Sequence, residues 1–237
     1  MTERSVHRES PVFVLGMHRS GTSLLTGTLQ AAGLHLGEVN DFARHNRKGN
    51  KEQRGFRNLN NALLASAGAS WSAPPVGQVA WSKAHMARGR TLVARCQAGP
   101  RPWGSKDPRA VFTIEGWERL APGARRVGVF RHPSLVAASL AARSGALWVA
   151  PATGLELWWR YNSELLRLWT TAPFPLVEFS TPEPTLAKLG PICEQLGLRP
   201  PVEPFLDANL VHHDAPSVVD ARYVELLDAL REAAGSA

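Results

Sequence analysis

The chain has 237 residues, 44% hydrophobic and 20% charged, enough apolar content and length for one α/β domain with a sizeable core. Its formal net charge of +7, supplied mostly by arginine, favours anionic partners: nucleotides, nucleic acid, membrane surfaces or acidic substrates. No apolar run reaches the ~18 residues of a membrane span, and the polar N-terminus shows no signal peptide. The two cysteines, Cys96 and Cys193, have neither a disulfide framework nor metal-ligand spacing and read as buried thiols. The expectation is a soluble, cytoplasmic protein with no metal. Alanine, arginine, glycine and proline are abundant throughout, so surface arginines alone do not specify a ligand.

Residues 1–10 read as a loose tail on a single domain spanning 1–237. Val12–Leu15 is a short apolar, β-branched run that suits a buried strand. Gly16-Met-His-Arg-Ser-Gly21 is a glycine-bounded turn, and Thr22–Ala32 a helix closed by Gly33. Strand, glycine-rich turn and helix together make a phosphate cradle, with backbone N–H groups aimed at one anion. The spacing nearly spells the nucleoside-triphosphate loop, but Thr22 replaces the loop lysine and the cation comes earlier, at Arg19. Without that lysine, ATP and Mg²⁺ chemistry lose their main contact to the β- and γ-phosphates. Arg19, Ser20, Gly21, Thr22 and Ser23 therefore suit an anion that needs no metal. His18, inside the turn, would sit beside that anion, as a hydrogen-bond donor in preference to a proton carrier.

His35–Glu38 is a candidate second short strand. Asp41–Arg57 is a strongly basic stretch that reads either as a solvated face or as an acceptor-binding loop. Within its Asn46-x-x-Gly49-x-x-Glu52 element, surrounding cations keep Glu52 ionised, which makes it a candidate general base. Glu38, Asp41 and His45 compete for that role, and helix capping is the structural alternative for Glu52. Leu59–Ala67 and Val79–Gln97 read as helices; Trp71 and Trp81 are candidates either for lining an acceptor pocket or for the core, with core packing preferred. Arg101–Ser105 is a strand leaving Lys106 at its C-terminal end. Asp107 and Pro108 then start a helix running to about Leu120. Arg126–Phe130 is a buried strand ended by Arg131, and His132-Pro133 opens the next helix, in which Ser139 lies about two turns past Arg131. Leu155–Trp169 is an amphipathic core helix and Pro175–Phe179 the last strand. Thr181-Pro182 caps a helix that Pro191 should break. His212-His213 is not a metal pair, because adjacent residues face different ways. Pro216–Ala234 closes the chain, with Ser217-x-x-Asp220 as a capping box.

The loop Gly16–Ser23, Lys106 and Arg131 each follow a strand and precede a helix. In a parallel sheet these ends share one edge, where ligands bind. The expected fold is α/β, a P-loop-like three-layer arrangement with a central, mainly parallel sheet flanked by helices. No strand ends in Asp or Glu as a Mg²⁺-orienting segment would.

The runs GMHRSGTSLL, WGSKDPRAVF and VGVFRHPSLVAASL resemble the nucleotide-site motifs of sulfotransferases that use 3′-phosphoadenosine-5′-phosphosulfate (PAPS). The likeness spans roughly residues 11–215. It is closest to soluble bacterial members and, in the Arg-Ser-Gly-Thr and Lys-Asp-Pro runs, to tyrosylprotein sulfotransferases. It implies that Arg19–Ser23 hold the 5′-phosphosulfate, that Arg131 and Ser139 bind the 3′-phosphate, and that Lys106 stabilises the transferring sulfuryl group. The Asn46–Glu52 element recurs in the bacterial members, while the general base varies between branches. The implied reaction is in-line transfer of a sulfuryl group to a hydroxyl or amine of a small-molecule or glycan acceptor, leaving adenosine 3′,5′-bisphosphate. Loops 41–57, 68–78 and 144–152, with Trp71 and Trp148, are expected to shape the acceptor pocket. The rivals are a P-loop-type kinase, a non-catalytic nucleic-acid-binding protein, which no recognised motif supports, and a nucleotide-binding scaffold without activity.

Overall fold

A computed structural model describes residues 10–39, 49–180, 182–200 and 220–236. The first nine residues, Asp41, His45, Asn46, Thr181, His212, His213 and Ser217 lie outside the described residues. The fold is built on four parallel strands in the order β2-β1-β3-β4: β1 (Val12–Leu15), β2 (Gly104–Lys106), β3 (Arg125–Arg131) and β4 (Leu176–Phe179). The candidate strand at His35–Glu38 contributes a single bridge, His35 to Trp103, beside β2.

β1 lies inside the sheet, so its residues alternate between two buried faces. Val12 and Val14 face a cluster with Val127, Val129 and Val177, covered by α1 (Thr22–Ala31) and α7 (Pro182–Gln195). Phe13 and Leu15 face the larger core. That side is covered by α2 (Arg54–Ser66), α3 (Lys83–Gln97), α4 (Ile114–Leu120), α5 (Pro133–Ala141), α6 (Pro151–Thr171) and α8 (Ala221–Gly235). The α/β three-layer architecture read from the sequence is the observed one. None of the described helices is long and apolar enough to cross a membrane.

Local chemistry explains where the boundaries fall. α1 ends as expected: Gly33, at φ +109°, donates to Gln30 O while Leu34 donates to Leu29 O, the paired bonds of a Schellman motif. α2 starts at Arg54, so Arg54 and Arg57 belong to a helix and not to the basic loop. α3 starts at Lys83 instead of Val79, because Ser82 Oγ caps His85 N at 3.2 Å and Val79 N is tied to Phe112 O. The helix expected from Pro108 to Leu120 is two pieces. A 3₁₀ turn, Pro108–Phe112, is capped by Asp107, and α4 follows after Thr113 departs from helical geometry at φ −131°. α7 continues through Pro191 without the expected break. The described part of α8 runs from Ala221, with Asp220 at the N-cap position but making no side-chain capping bond; the expected start at Pro216 lies outside the described residues. Cys193 is buried, and its thiol is pushed up to about 11 by burial; Cys96 is only half-buried.

The sharpest backbone constraint lies where β1 leaves the sheet. Gly16 has φ +143°, and a Cβ there would sit 2.3 Å from Val129 O of the neighbouring strand. Gly16→Ala is therefore expected to cost about 2–4 kcal/mol, from strain added to a clash with backbone that cannot yield. Urea denaturation measures this directly, and a loss of only a few tenths of a kcal/mol would mean that the turn has more room than its geometry shows.

Candidate anion site at the sheet edge

Because all four strands are parallel, the phosphate-type loop after β1, Lys106 ending β2 and Arg131 ending β3 open onto one edge. β1 has β2 on one side and β3 on the other, which places the loop at the point where the strand order reverses. The loop turns through two left-handed residues, Arg19 at φ +67° and Gly21 at φ +88°. For arginine this conformation costs energy that the surrounding structure must supply. Gly21 is fixed from the far side: a Cβ would sit 2.7 Å from Phe179 Cγ, at the end of β4. The N-cap of α1 is Gly21, which has no side chain to cap it, and the first turn carries no acidic residue. Its N-terminal N–H groups and the positive end of its dipole therefore face the loop.

The side chains form two connected groups. In the first, Arg19 Nε donates to Ser139 Oγ at 2.8 Å, and Arg131 Nη1 reaches Arg19 O at 3.5 Å. Arg131 lies over the Phe179 ring, 5.2 Å from its centroid, and Trp158 Nε1 donates to Arg131 O at 2.7 Å. Burial, with Arg19 nearby, pushes the Arg131 guanidinium down to about 10. In the second group, Lys106 Nζ donates to Glu52 Oε1 and to Asn50 O, each at 3.0 Å. Ser23 Oγ donates to the same Asn50 carbonyl at 3.3 Å. Arg109 Nη1 sits 3.8 Å from Glu52 Oε2 and 2.7 Å from Asp107 Oδ1. Burial acts to lower Arg109, but Asp107 and Glu52 outweigh it and raise its proton affinity. Asn60 holds Asp107 in turn. Its Nδ2 donates to Asp107 Oδ2 at 2.9 Å, and its Oδ1 accepts from Thr113 Oγ1 and Trp117 Nε1, both at 2.9 Å.

His18 feels the cations of both groups. Trp71 and Tyr161 meet its ring edge-on, at centroid distances of 5.2 and 6.0 Å. Burial, followed by the charges of Arg109, Lys106, Arg143 and Arg19, drives its pKa well below the ordinary 6.5, so it is neutral at pH 7.

The structure thus brings Arg19, Ser139 and Arg131 together, and Lys106, Glu52 and Ser23 together. Glu38 is exposed, and Asp41 and His45 lie outside the described residues. Trp81 packs on Trp117 in the core, 4.9 Å between ring centroids, whereas Trp71 borders the site. Sequence reasoning missed Arg143. It lies just past α5 with its guanidinium 6.0 Å from the Trp71 ring centroid, and burial and Arg19 push it down to about 10. The available signal was its spacing, four residues beyond Ser139, one further turn along the same face. Phe179 and Asn60 were missed as well, since their roles depend on partners far away in the chain.

Enclosed polar atoms test whether the site fits an anion. Ser20 Oγ, the Nε atoms of Arg109, Arg131 and Arg143, and the imidazole Nε2 of His18 are shut off from solvent without a hydrogen-bond partner. Among the described residues, Arg131 and Arg143 form no ion pair with a carboxylate. Buried donors and charges left in this state are costly unless a ligand completes them. A phosphate- or sulfate-bearing ligand supplies acceptors of the right charge. Among the described residues no group of three or more His, Cys, Asp or Glu is placed to hold a metal ion.

Comparison with known proteins adds the family. A comparison with curated protein sequences finds no match. Among solved structures, the chain is similar to the sulfotransferase domain of the olefin synthase from Synechococcus PCC 7002. The two share 19% identity and a TM-score of 0.58, over 94% of this chain and 95% of that one, a likeness of fold. Sulfotransferase STF1 from Mycobacterium tuberculosis H37Rv aligns at 15% identity and a TM-score of 0.44, over 98% of this chain and 78% of that one, a score from which nothing is argued. The model of the sulfotransferase family matches residues 11–175, well over half of the chain and the whole of the loop–Lys106–Arg131 edge, and the protein therefore belongs to the sulfotransferase family.

Proposed function

We propose that this protein transfers a sulfuryl group from PAPS to a hydroxyl or amine of a small-molecule or glycan acceptor. The observation that carries this reading is the pair of arginines, Arg131 buried and Arg143 partly buried, that form no ion pair with a carboxylate among the described residues, beside a loop whose helix has a glycine at its N-cap. When bound, PAPS supplies an activated sulfuryl group on a 5′-phosphate and a second phosphate at the 3′ position.

In this reading the protein's own groups divide the work. The loop N–H groups, Arg19, Ser20, Thr22 and Ser23 hold the 5′ end. Arg131, Ser139 and Arg143 hold the 3′-phosphate. Lys106, tethered at 3.0 Å to Glu52, places a cation where charge develops on the transferring group. A sulfuryl group carries less charge than a phosphoryl group, so cations and N–H donors can stabilise it without Mg²⁺. Glu52, 3.0 Å from Lys106 Nζ and 3.8 Å from Arg109 Nη1, is assigned to take the acceptor's proton. The features that disfavour a kinase are concrete: Thr22 stands at the loop-lysine position, and β3 ends in Arg131 instead of a carboxylate.

Two outcomes test the assignment. Arg131→Ala should weaken adenosine 3′,5′-bisphosphate binding by about 1.5–3 kcal/mol, the worth of a charged hydrogen bond, while ADP affinity changes far less. Calorimetry reads both, and an unchanged bisphosphate affinity would remove Arg131 from the 3′-phosphate site. Glu52→Gln should cut turnover by about 10²-fold or more, the size of a lost general base, with bisphosphate affinity close to wild type. Equal losses in turnover and affinity would instead make Glu52 a structural tether for Lys106.

A further inference from the structure

His18 immediately precedes Arg19 in the anion loop, and its surroundings are unusual for a histidine. Its imidazole Nε2 is enclosed and has no hydrogen-bond partner, and the Trp71 and Tyr161 rings fix its plane. Among the described residues, the charged groups that act on it most are cations. These are Arg19 from the loop, Lys106 from the end of β2, Arg109 from the 3₁₀ turn and Arg143 from the segment after α5. Tyr161 of α6 adds no charge, since burial raises its phenol far above the ordinary range. The carboxylates of this cluster, Glu52 and Asp107, are engaged by Lys106 and Arg109.

A proton on His18 in the empty site would be opposed by burial and by four neighbouring cations. An anion seated in the loop reverses that field. A nucleotide with phosphates at both the 3′ and 5′ positions brings more negative charge than one imidazolium adds, and it supplies the acceptor that Nε2 lacks. A fifth permanent cation would repel the others whenever the site was empty. A histidine carries its charge only while the ligand is present.

Resting on the donor-site reading, we propose that His18 takes up a proton when the bisphosphate nucleotide binds in the loop, and then serves as an additional cationic hydrogen-bond donor to it. The proton comes from solvent, adds to the free lone pair of the imidazole, and returns to solvent when the nucleotide leaves. No other bond changes. Because the proton affinity of His18 is higher in the complex than in the free protein, the extra binding is present below the pKa of the complex and fades as pH rises through it.

The test is calorimetric titration with adenosine 3′,5′-bisphosphate near pH 7, in two buffers of different ionisation enthalpy, on the full chain and on His18→Asn. The wild type should take up more protons than the variant, by at most about one per site. Its affinity should rise several-fold between pH 8 and pH 6.5, a gain that His18→Asn flattens. The nucleotide's own phosphates titrate in the same range but contribute equally to both proteins. Equal proton uptake in the two would overturn the proposal. If His18→Asn does not fold, nitrogen-15 NMR of the wild-type imidazole decides instead. His18 should be neutral in the free protein at pH 7 and cationic in the saturated complex, and a neutral ring in the complex refutes the idea. A protein that binds no bisphosphate at all overturns the donor-site reading and this proposal with it. Tight binding without a His18-linked proton overturns this proposal alone.

Discussion

Positive charge crowded onto one edge of a parallel sheet is the condition to which the rest of this molecule is fitted. Lys106, Arg109, Arg131 and Arg143 gather around one loop, and charges drawn out of water need partners. The fold answers differently for each. Lys106 is paired with Glu52, and Arg109 with Asp107, whose other oxygen is held by Asn60. Arg131 lies on Phe179 and Arg143 near Trp71, where aromatic faces offset part of the cost without cancelling the charge. Among the described residues, Arg131 and Arg143 pair with no carboxylate, and a ligand's charge would complete them.

The same arrangement explains why the backbone is strained there. Arg19 in a left-handed conformation and Gly16 against Val129 O are tolerated because β1 is hydrogen-bonded on both sides and packed on both faces. The rigid sheet meets the cost of the loop. The buried Asn60 amide has its orientation set by the Trp117 N–H, which can only donate, and so Asp107 and the Lys106 strand end are held from behind.

Much of this was legible in the sequence, and the legible part has a common cause. The β1–loop–α1 unit, Lys106 and Arg131 announce themselves through local patterns: an apolar run, a glycine or a cation, then a helix start. Gly33 closes α1 because only its backbone accepts that conformation cheaply. Less legible were features decided by distant partners. Asp107 reads as the cap of a long helix, yet its side chain is shared among Arg109, Asn60 and the turn, and the helix is interrupted at Thr113. Ser82, not the apolar periodicity, sets the start of α3. Arg143 and Phe179 look like ordinary helix-end and strand residues until the chain returns them to the loop. The acceptor side is the least legible, because loop sequence alone does not carry its own pose.

The central claim is that the edge was built for a nucleotide with a 3′-phosphate and not for a nucleoside polyphosphate with magnesium. Titrating the wild-type protein calorimetrically, without magnesium, with adenosine 3′,5′-bisphosphate and separately with ADP tests it most directly. The account predicts tight binding of the bisphosphate and weak binding of ADP. Equal affinities, or binding only of ATP with magnesium, would contradict it.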